Sequence, residues 1–142
     1  MKIKIAETQR EYFDLMFLRK EVFSNEQKVD INIEMDEKDR EAIHFIGSRD
    51  EEIIATCRLV VDGTSAKLGR MAIAKSFRRQ NLGRQLIAYV EDYAKKHNIL
   101  KIVASAQIQA LDFYLKNGYQ IDSELFYEAD IPHKTVYKKL DR

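Results

Sequence analysis

The segment between residues 75 and 84 is the part of the sequence best suited to bind an anion. It carries four cationic side chains and no acidic one. The residues that follow have the apolar spacing of a helix that begins near Leu82. Because the first turn of a helix leaves main-chain amides unpaired and carries a partial positive charge, the segment predicts a phosphate site, with a diphosphate as its natural occupant. Its candidate ligands are Arg78, Arg79, Gln80, Asn81, Leu82, Gly83 and Arg84.

A basic helix start is often only solvated, and that alternative stays open for the three arginines. Two features of the sequence favour phosphate. No acidic residue occurs between Ala72 and Glu91, and Gly83 lets the backbone approach a ligand closely. Arginine also suits phosphate geometrically, because its planar guanidinium can donate two parallel hydrogen bonds.

The predicted elements place this segment between a strand and a helix. Their order is β-α-(loop)-β-β-β-α-β-α-β-β, which predicts an α+β fold with a mixed sheet. The unit from residue 67 to 105 should be a right-handed crossover with two parallel strands. A capping box at Thr8 and Glu11 opens the first helix. We expect strands over 3–7, 43–48, 53–61, 67–74, 99–105, 119–121 and 134–140, helices over 8–23, 82–96 and 107–116, and a loop with broken helix over 25–43.

The composition is that of an ordinary globular chain, with 142 residues, 45% apolar, 33% charged and a net charge of +1. Without a linker or repeat, we expect one domain over residues 1–142. The small net charge argues against nucleic-acid or membrane partners. Cys57 is the only cysteine, which rules out an internal disulfide and indicates a reducing, cytoplasmic location. The sequence has neither a membrane-spanning apolar run nor the apolar core of a signal peptide.

Several catalytic classes lack their motifs. The three histidines and Cys57 do not have the spacing of metal ligands, so we expect no metal. No Gly-x-x-x-x-Gly-Lys-Ser/Thr loop indicates a P-loop nucleotide hydrolase. No Gly-x-Ser-x-Gly elbow indicates a serine hydrolase.

Two motifs resemble those of the GCN5-related N-acetyltransferases, the GNAT family. Arg78-x-x-Asn81-x-Gly83 is similar to the Arg/Gln-x-x-Gly-x-Gly/Ala loop that grips the pyrophosphate of acetyl-coenzyme A in that family. Asn81 replaces a glycine, and asparagine is the non-glycine residue most tolerant of a left-handed backbone. The run from Gln107 to Tyr119 resembles the family's Asn-x-x-Ala-x-x-Phe-Tyr helix. A narrower resemblance to the ElaA/YjcF-like branch lies in Glu26-Gln27, Glu34-x-Asp36, His44 and residues 55–59, 69–72 and 131–133.

This resemblance implies the GNAT acyl-CoA N-acyltransferase fold, an α/β/α sandwich with a mixed central sheet flanked by helices. It implies acetyl-CoA as the donor and direct transfer to a primary amine in a ternary complex, without a metal or an acyl-enzyme. Tyr114 aligns with the tyrosine near the thioester sulfur and would act as general acid to the thiolate, although its spacing alone favours a plain core aromatic. The resemblance also implies that the backbone of Met71, Ala72 and Ile73 pairs with the pantetheine arm, and that an amide near Ala72 or Ile73 stabilises the oxyanion. It further implies that Gln107 forms a hydrogen bond with the cofactor. Phe113 is expected to be a packing residue.

The base that deprotonates the amine has five candidates. The acid-rich segment 25–43 lies where the family places its acceptor lip, and a carboxylate there would attract a cationic amine. The alternative is a solvated charged loop. His44 is more often a structural histidine, whereas His133 follows Pro132 at a lip position. The candidates are Glu26, Glu34, Asp36, His44 and His133, of which we favour Glu34 and His133; Cys57 is expected to be a buried core residue.

The acceptor class follows only broadly from the family, since GNAT proteins vary the acceptor half of the site. We expect a small-molecule or peptide amine, and a homodimer is compatible with the sequence. One alternative is a non-catalytic coenzyme A sensor, in which Tyr114→Phe would have no rate to lower. Another is a nucleic-acid module that uses the basic loop, for which Phe77 is the one nearby stacking aromatic.

Overall fold

The computed structural model describes residues 1–141 and shows eight strands and four α-helices. Residue 142, the last of the predicted domain, lies outside the described residues. The strands are β1 (Lys2–Ile5), β2 (Ile43–Arg49), β3 (Glu52–Asp62), β4 (Ser65–Ile73), β5 (Lys101–Gln107), β6 (Gln120–Ile121), β7 (Phe126–Glu128) and β8 (Ile131–Lys139). The helices are α1 (Gln9–Arg19), a π-helix (Lys20–Glu26), α2 (Ile31–Glu34), α3 (Leu82–Lys96) and α4 (Leu111–Lys116), with 3₁₀ turns at Glu37–Arg40, Lys75–Phe77 and Ile108–Ala110.

The eight strands form one mixed sheet in the order β1-β2-β3-β4-β5-β8-β6, with β7 paired to a separate stretch of β8. Strands β4 and β5 are parallel, and the other described pairs are antiparallel. The parallel pair is the one joined through α3, because parallel neighbours need a crossover connection. The α+β prediction and its mixed sheet are therefore confirmed.

The two parallel strands pair over only part of their length. Their register runs from Ser65 opposite Lys101 to Leu68 opposite Ala104. Both strands continue beyond that point, β4 to Ile73 and β5 to Gln107. The strands therefore diverge after Leu68 and Ala104, and the gap that opens between them forms the cleft described below.

Helix α3 begins at Leu82 and ends at Lys96, as its apolar spacing predicts. Its side chains Leu86 and Ile87 are fully buried and belong to the same core as Leu59 of β3. Complete burial of a side chain of this size contributes about 1.5–3 kcal/mol. This apolar face holds the first turn of the helix directly after the loop that leaves β4.

Helix α1 confirms the predicted capping box and ends earlier than predicted. The Thr8 hydroxyl accepts a hydrogen bond from the Glu11 amide at 3.1 Å, and the Glu11 carboxylate accepts one from the Thr8 amide at 3.0 Å. The α-helix stops at Arg19, and the chain continues as a π-helix to Glu26. π-Helices are rare and often occur at functional sites.

The C-terminal part differs from prediction in three places. Strand β8 begins at Ile131 and not near residue 134, so His133 lies within a strand, paired with Gln107 and Phe126, and not in the loop before it. Gln107 ends strand β5, and a 3₁₀ turn separates it from the short helix α4, so the predicted helix 107–116 was too long. Strand β7 was not predicted. It joins β8 through a two-residue turn at Ala129 and Asp130, which have φ angles of 49° and 61°. Such turns usually contain Asn-Gly or Asp-Gly, so an Ala-Asp pair gives no turn signal in the sequence.

Candidate active site

A cleft of about 1330 Å³ lies between the diverging strands β4 and β5. The basic loop, the first turn of α3 and helix α4 also line it. The cleft brings together site residues that the sequence predicted separately, whereas Gln80 and the candidate bases Glu26 and His44 do not line it. Those that do are Glu34, Asp36, Met71, Ala72, Ile73, Arg78, Arg79, Asn81, Leu82, Gly83, Arg84, Gln107, Tyr114 and His133.

The first turn of α3 presents open main-chain amides. Asn81 is the residue before the helix, and its side chain makes no capping hydrogen bond. The Gln85 amide donates to the Asn81 carbonyl at 3.1 Å, which starts the helical pattern. Within residues 1–141, no protein oxygen accepts a hydrogen bond from the amides of Leu82, Gly83 or Arg84. These three amides lack a protein partner in a segment that lines the cleft, and the anion site there stays a prediction.

The loop before the helix reverses direction through two left-handed residues, Arg79 at φ 63° and Asn81 at φ 61°. The GNAT loop motif carries glycine at the position of Asn81, and this conformation gives the reason, because a Cβ atom disfavours a left-handed backbone. Asparagine adopts it at lower cost than most other residues. Asn81 thus has the left-handed backbone that its residue type tolerates; that it preserves the loop shape of the family stays a prediction.

Gly83 also lies close to helix α4, a contact that the sequence did not suggest. A Cβ atom added there would lie 3.2 Å and 3.3 Å from two carbons of the Phe113 ring. The close approach is thus between α3 and α4 rather than only between the loop and a ligand. It also supports the assignment of Phe113 to packing.

The three arginines of the basic segment have different environments. Arg78 donates to both carboxylate oxygens of Glu26, at 2.6 Å and 2.8 Å, and through Nε to the Ile73 carbonyl at 3.0 Å. Its charge is therefore balanced within the protein, which corrects the prediction of a free phosphate donor. Among the ion pairs of residues 1–141, none involves Arg79 or Arg84.

The side-chain amides of this region are also engaged. Gln80 accepts a hydrogen bond from Arg49 at 3.1 Å, away from the cleft. Gln107 donates to the Gln27 side chain at 2.9 Å and accepts from the Gln109 side chain. A ligand that bonds Gln107 would have to share or replace these partners.

Tyr114 lines the cleft and is 7% exposed. The ring packs edge-on against Phe113 and Tyr119, with centroid distances of 5.2 Å and 5.5 Å. The hydroxyl bonds to no other residue of the described chain and is not sealed in the core. Burial raises the pKa of the phenol, and the nearby Cys57 thiol adds to the effect. The Tyr114 hydroxyl therefore keeps its proton and can donate it to a ligand atom.

Cys57 has no exposed surface, and burial raises the pKa of its thiol. A thiol must ionise and reach its substrate to act as a nucleophile. The prediction that Cys57 is a core residue is confirmed.

His133 has a defined tautomer. Its Nδ1 lies 2.7 Å from the Ile131 carbonyl oxygen, which can only accept a hydrogen bond. In the neutral ring, Nδ1 therefore carries the proton and Nε2 keeps a free lone pair. The ring also stacks on Phe126, with planes 20° apart. His133 is thus an oriented proton acceptor in the wall of the cleft.

His44, by contrast, is a structural histidine, as the sequence favoured. It is 2% exposed, and its Nε2 lies 2.9 Å from the Asp39 carbonyl. Burial lowers the pKa of its imidazole. Neither His44 nor Glu26 lines the cleft.

The acidic segment is solvated only in part, because three of its seven acidic residues enter a network with three arginines. Glu34, 2% exposed, accepts from Arg19 Nε at 2.6 Å. Asp36 accepts from both terminal nitrogens of Arg58 at 2.6 Å and 3.0 Å, and these bonds lower its pKa from 3.8 to about 2. The other members are Arg70, which donates to Asp36 at 3.2 Å, and Asp39, which accepts from Arg19 and Arg58.

This network corrects the expectation that Glu34 is a free carboxylate for the acceptor. Removing one partner of a buried ion pair costs about 3–5 kcal/mol, so the network holds α1, the segment 31–40 and strands β3 and β4 together. No sequence pattern predicts this network, because Arg19 and Arg58 lie 15 to 22 residues from their carboxylate partners. The pairing of β3 with β4 places Arg58 near Arg70, and two neighbouring arginines predict nearby carboxylates. This prediction needs the register of the two strands, which the sequence does not provide.

Other kinds of site find no support in the described residues. Within residues 1–141, no three His, Cys, Asp or Glu side chains are grouped so that they could hold a metal ion. None of the described helices combines the length and apolar character needed to cross a membrane.

Comparison with known proteins agrees with the motifs. A family model described as "Acetyltransferase (GNAT) domain" matches residues 5–140. The N-acetyltransferase YjcF of Bacillus subtilis (strain 168), itself uncharacterized, is 32% identical over 139 residues, which are 97% of this chain and 99% of YjcF.

Solved structures share the fold. An acyl-CoA N-acyltransferase from Pseudomonas aeruginosa matches with a TM-score of 0.87 at 26% identity, covering 97% of this chain and 99% of that one. Escherichia coli ElaA matches with a TM-score of 0.88 at 22% identity over the same shares. A GNAT family acetyltransferase from Elizabethkingia anophelis with acetyl-CoA bound has a TM-score of 0.72 at 19% identity, covering 98% and 97%. The predicted acyl-CoA N-acyltransferase fold is confirmed.

Proposed function

The chain belongs to the GNAT family of acyl-CoA-dependent acetyltransferases, and we propose that it moves the acetyl group of acetyl-CoA directly onto a primary amine. One observation carries this proposal. A single cleft joins the open amides at the start of α3 to the hydroxyl of Tyr114. The acetyl-CoA held by the Elizabethkingia anophelis neighbour supports the choice of donor. Both substrates would then bind in one domain, residues 1–142.

The diphosphate of the donor would lie against the amides of Leu82, Gly83 and Arg84. Arg79 and Arg84 would balance its charge, because they are the arginines of the loop without a carboxylate partner among residues 1–141. Arg78 would act through the shape of the loop, since its guanidinium already bonds Glu26 and Ile73.

The pantetheine arm would follow Met71, Ala72 and Ile73 in the manner of an added strand. Strand β5 has parted from β4 at this level, so the cleft-facing edge of β4 has no ladder partner on that side. The Ile73 carbonyl is taken by Arg78, so the arm would pair with those of the other main-chain groups that point away from β3. An amide near Ala72 or Ile73 would stabilise the oxyanion that forms when the amine attacks.

The amine must lose a proton before it attacks, because a lysine-like amine has a pKa of about 10.4. We propose His133 as the base, acting directly or through water. Its Nε2 lone pair is free once Nδ1 donates to Ile131, and its ring is held by Phe126. Glu34 is less suited, since Arg19 already bonds its carboxylate. We propose that Glu34 positions Arg19 and Arg70 behind the acceptor end of the cleft.

Tyr114 would assist departure of the thiolate. A thiol of ordinary pKa, about 8.5, is a stronger acid than a phenol whose pKa lies above 10. Proton transfer from Tyr114 to sulfur is therefore uphill, while a hydrogen bond to the developing negative charge is favourable. The proposed general acid would thus act mainly by donating this hydrogen bond as the C–S bond breaks.

The acceptor is proposed as a small-molecule or peptide amine, as the family suggests. The free, buried thiol of Cys57 is compatible with the reducing cytoplasm, which we propose as its location. Homodimer formation stays a prediction, and sedimentation equilibrium would measure the oligomeric state.

The test is to supply acetyl-CoA with polyamines, amino acids, aminoglycosides and peptide N-termini, and to measure free thiol and acetylated amine. We expect both in equal amounts with one of these classes. Gly83→Glu should abolish coenzyme A binding in calorimetry, since it adds bulk and negative charge beside the amides, whereas the Gly83→Ala control should retain it. A chain that binds coenzyme A but acetylates none of them would favour the sensor alternative. Unchanged affinity in folded Gly83→Glu would refute the site.

A further inference from the structure

We propose that Glu26 and Gln27 form a spacer that holds the two walls of the cleft at the separation the donor requires. Glu26 ends the π-helix, and Gln27 follows it. The inference rests on the function proposed above, because it assigns these two positioning residues to the coenzyme A site.

The need for a spacer follows from the sheet. Ladder hydrogen bonds set the distance between paired strands, and they stop at Leu68 and Ala104. Beyond this level, β4 leads to the basic loop and β5 leads to Gln107. Other contacts must therefore set the width of the cleft where the pantetheine arm would pass.

Glu26 holds the β4 wall. Its carboxylate accepts from both terminal nitrogens of Arg78, and Arg78 Nε binds the Ile73 carbonyl at the end of β4. A bidentate arginine–carboxylate pair fixes orientation as well as distance. The pair also lowers the pKa of the Glu26 carboxyl.

Gln27 holds the β5 wall. Its side-chain oxygen accepts from Gln107 at 2.9 Å, across 80 residues of sequence, and Gln27 itself lines the cleft. Its main-chain amide donates to the carbonyl of buried Val22 at 3.1 Å, so its backbone is tied to the core. Because adjacent Cα atoms lie about 3.8 Å apart, the two anchors cannot move independently, and the walls keep a set separation.

The two anchors should respond differently to two probes, coenzyme A and adenosine 3′,5′-bisphosphate. Coenzyme A would contact the loop and both walls, whereas the nucleotide fragment would reach only the loop. Glu26→Gln disturbs the loop through Arg78, so we expect roughly tenfold weaker binding of both probes. Gln27→Ala disturbs only the β5 wall, so we expect roughly three- to tenfold weaker binding of coenzyme A and unchanged binding of the fragment.

Calorimetry on the full chain measures these affinities. Glu21→Gln and Gln9→Ala are the matched controls, because neither Glu21 nor Gln9 lines the cleft. Thermal melts establish that each variant is folded. If the wild-type chain binds no coenzyme A, the proposed function fails. If it binds and both variants match their controls, the spacer is refuted while the function stands. Equal weakening of both probes by Gln27→Ala would likewise overturn the spacer, because it would indicate a general loss of structure.

Discussion

Tyr114 and Tyr119 allow the same chemical change to be made at two neighbouring rings with opposite expected results. The Tyr114 hydroxyl opens to the cleft without a partner among the described residues. The Tyr119 hydroxyl donates to Glu91 at 3.0 Å, and Lys138 donates to the other oxygen of Glu91 at 2.9 Å. Tyr114→Phe should therefore lower the rate and spare stability, while Tyr119→Phe should lower stability and spare the chemistry.

The magnitudes follow from these environments. Loss of proton or hydrogen-bond donation in a transition state typically costs about 10²–10⁴ in rate, so we expect kcat of Tyr114→Phe to fall by roughly 10²-fold. Its Tm should change by less than about 1 °C, because the ring stays and no protein hydrogen bond is lost. Tyr119→Phe loses a bond to a charged group, about 1.5–3 kcal/mol, which corresponds to a Tm lower by about 5–10 °C.

The assay combines initial rates of thiol release at saturating acetyl-CoA, calorimetric affinity for coenzyme A, and thermal melts of both variants. The affinity for coenzyme A should match wild type in Tyr114→Phe. Wild-type turnover in Tyr114→Phe, with an amine that the wild-type chain acetylates, would refute the role of its hydroxyl. A marked loss of Tm in that variant would refute the inference that the Tyr114 hydroxyl makes no stabilising contact within the protein.

Three further predictions test the loop, the ion network and the base. Asn81→Gly should retain coenzyme A affinity and be at least as stable as wild type in urea unfolding. In Asn81→Ala the free energy of unfolding should fall by about 1 kcal/mol, since glycine adopts the left-handed φ freely and alanine does not. A destabilised glycine variant would contradict this reasoning. Arg58 lowers the pKa of Asp36 from 3.8 to about 2, so this stabilisation is present above pH 3.8 and is lost as the pH falls towards 2; Asp36→Asn should flatten the unfolding free energy over that window, and an unaltered pH dependence would count against the pair. His133→Asn can still donate to the Ile131 carbonyl but has no Nε2 base, so kcat should fall by roughly 10²-fold with coenzyme A affinity retained; an unchanged kcat would remove His133 from the mechanism.

Features that depend on near neighbours could be predicted from the sequence. The capping box at Thr8 joins residues three apart, and the bounds of α3 follow from apolar residues three and four apart. The anion site is of the same kind, because a helix start creates open amides wherever it occurs. Asn81 also signals its own left-handed backbone.

The partners of the charged and polar side chains could not be predicted in this way. Glu26 and Arg78 are 52 residues apart, and Gln27 and Gln107 are 80 apart. No periodicity or motif connects such residues, because their contact arises only after strands β4 and β5 have been placed and have diverged. The same holds for Glu34, which the sequence leaves as a candidate base and the packing of α1 buries against Arg19.

The sequence by itself thus determined the family, the larger part of the order of the elements and the helix start, since each depends on residue types at short spacing. Tertiary structure alone decided which charges remain free for a ligand. In the folded chain, Arg78 and Glu34 form ion pairs with Glu26 and Arg19. Arg79, Arg84 and the His133 ring line the cleft. The physical reason is that an ion pair depends on distance in space, which the spacing along the chain does not set.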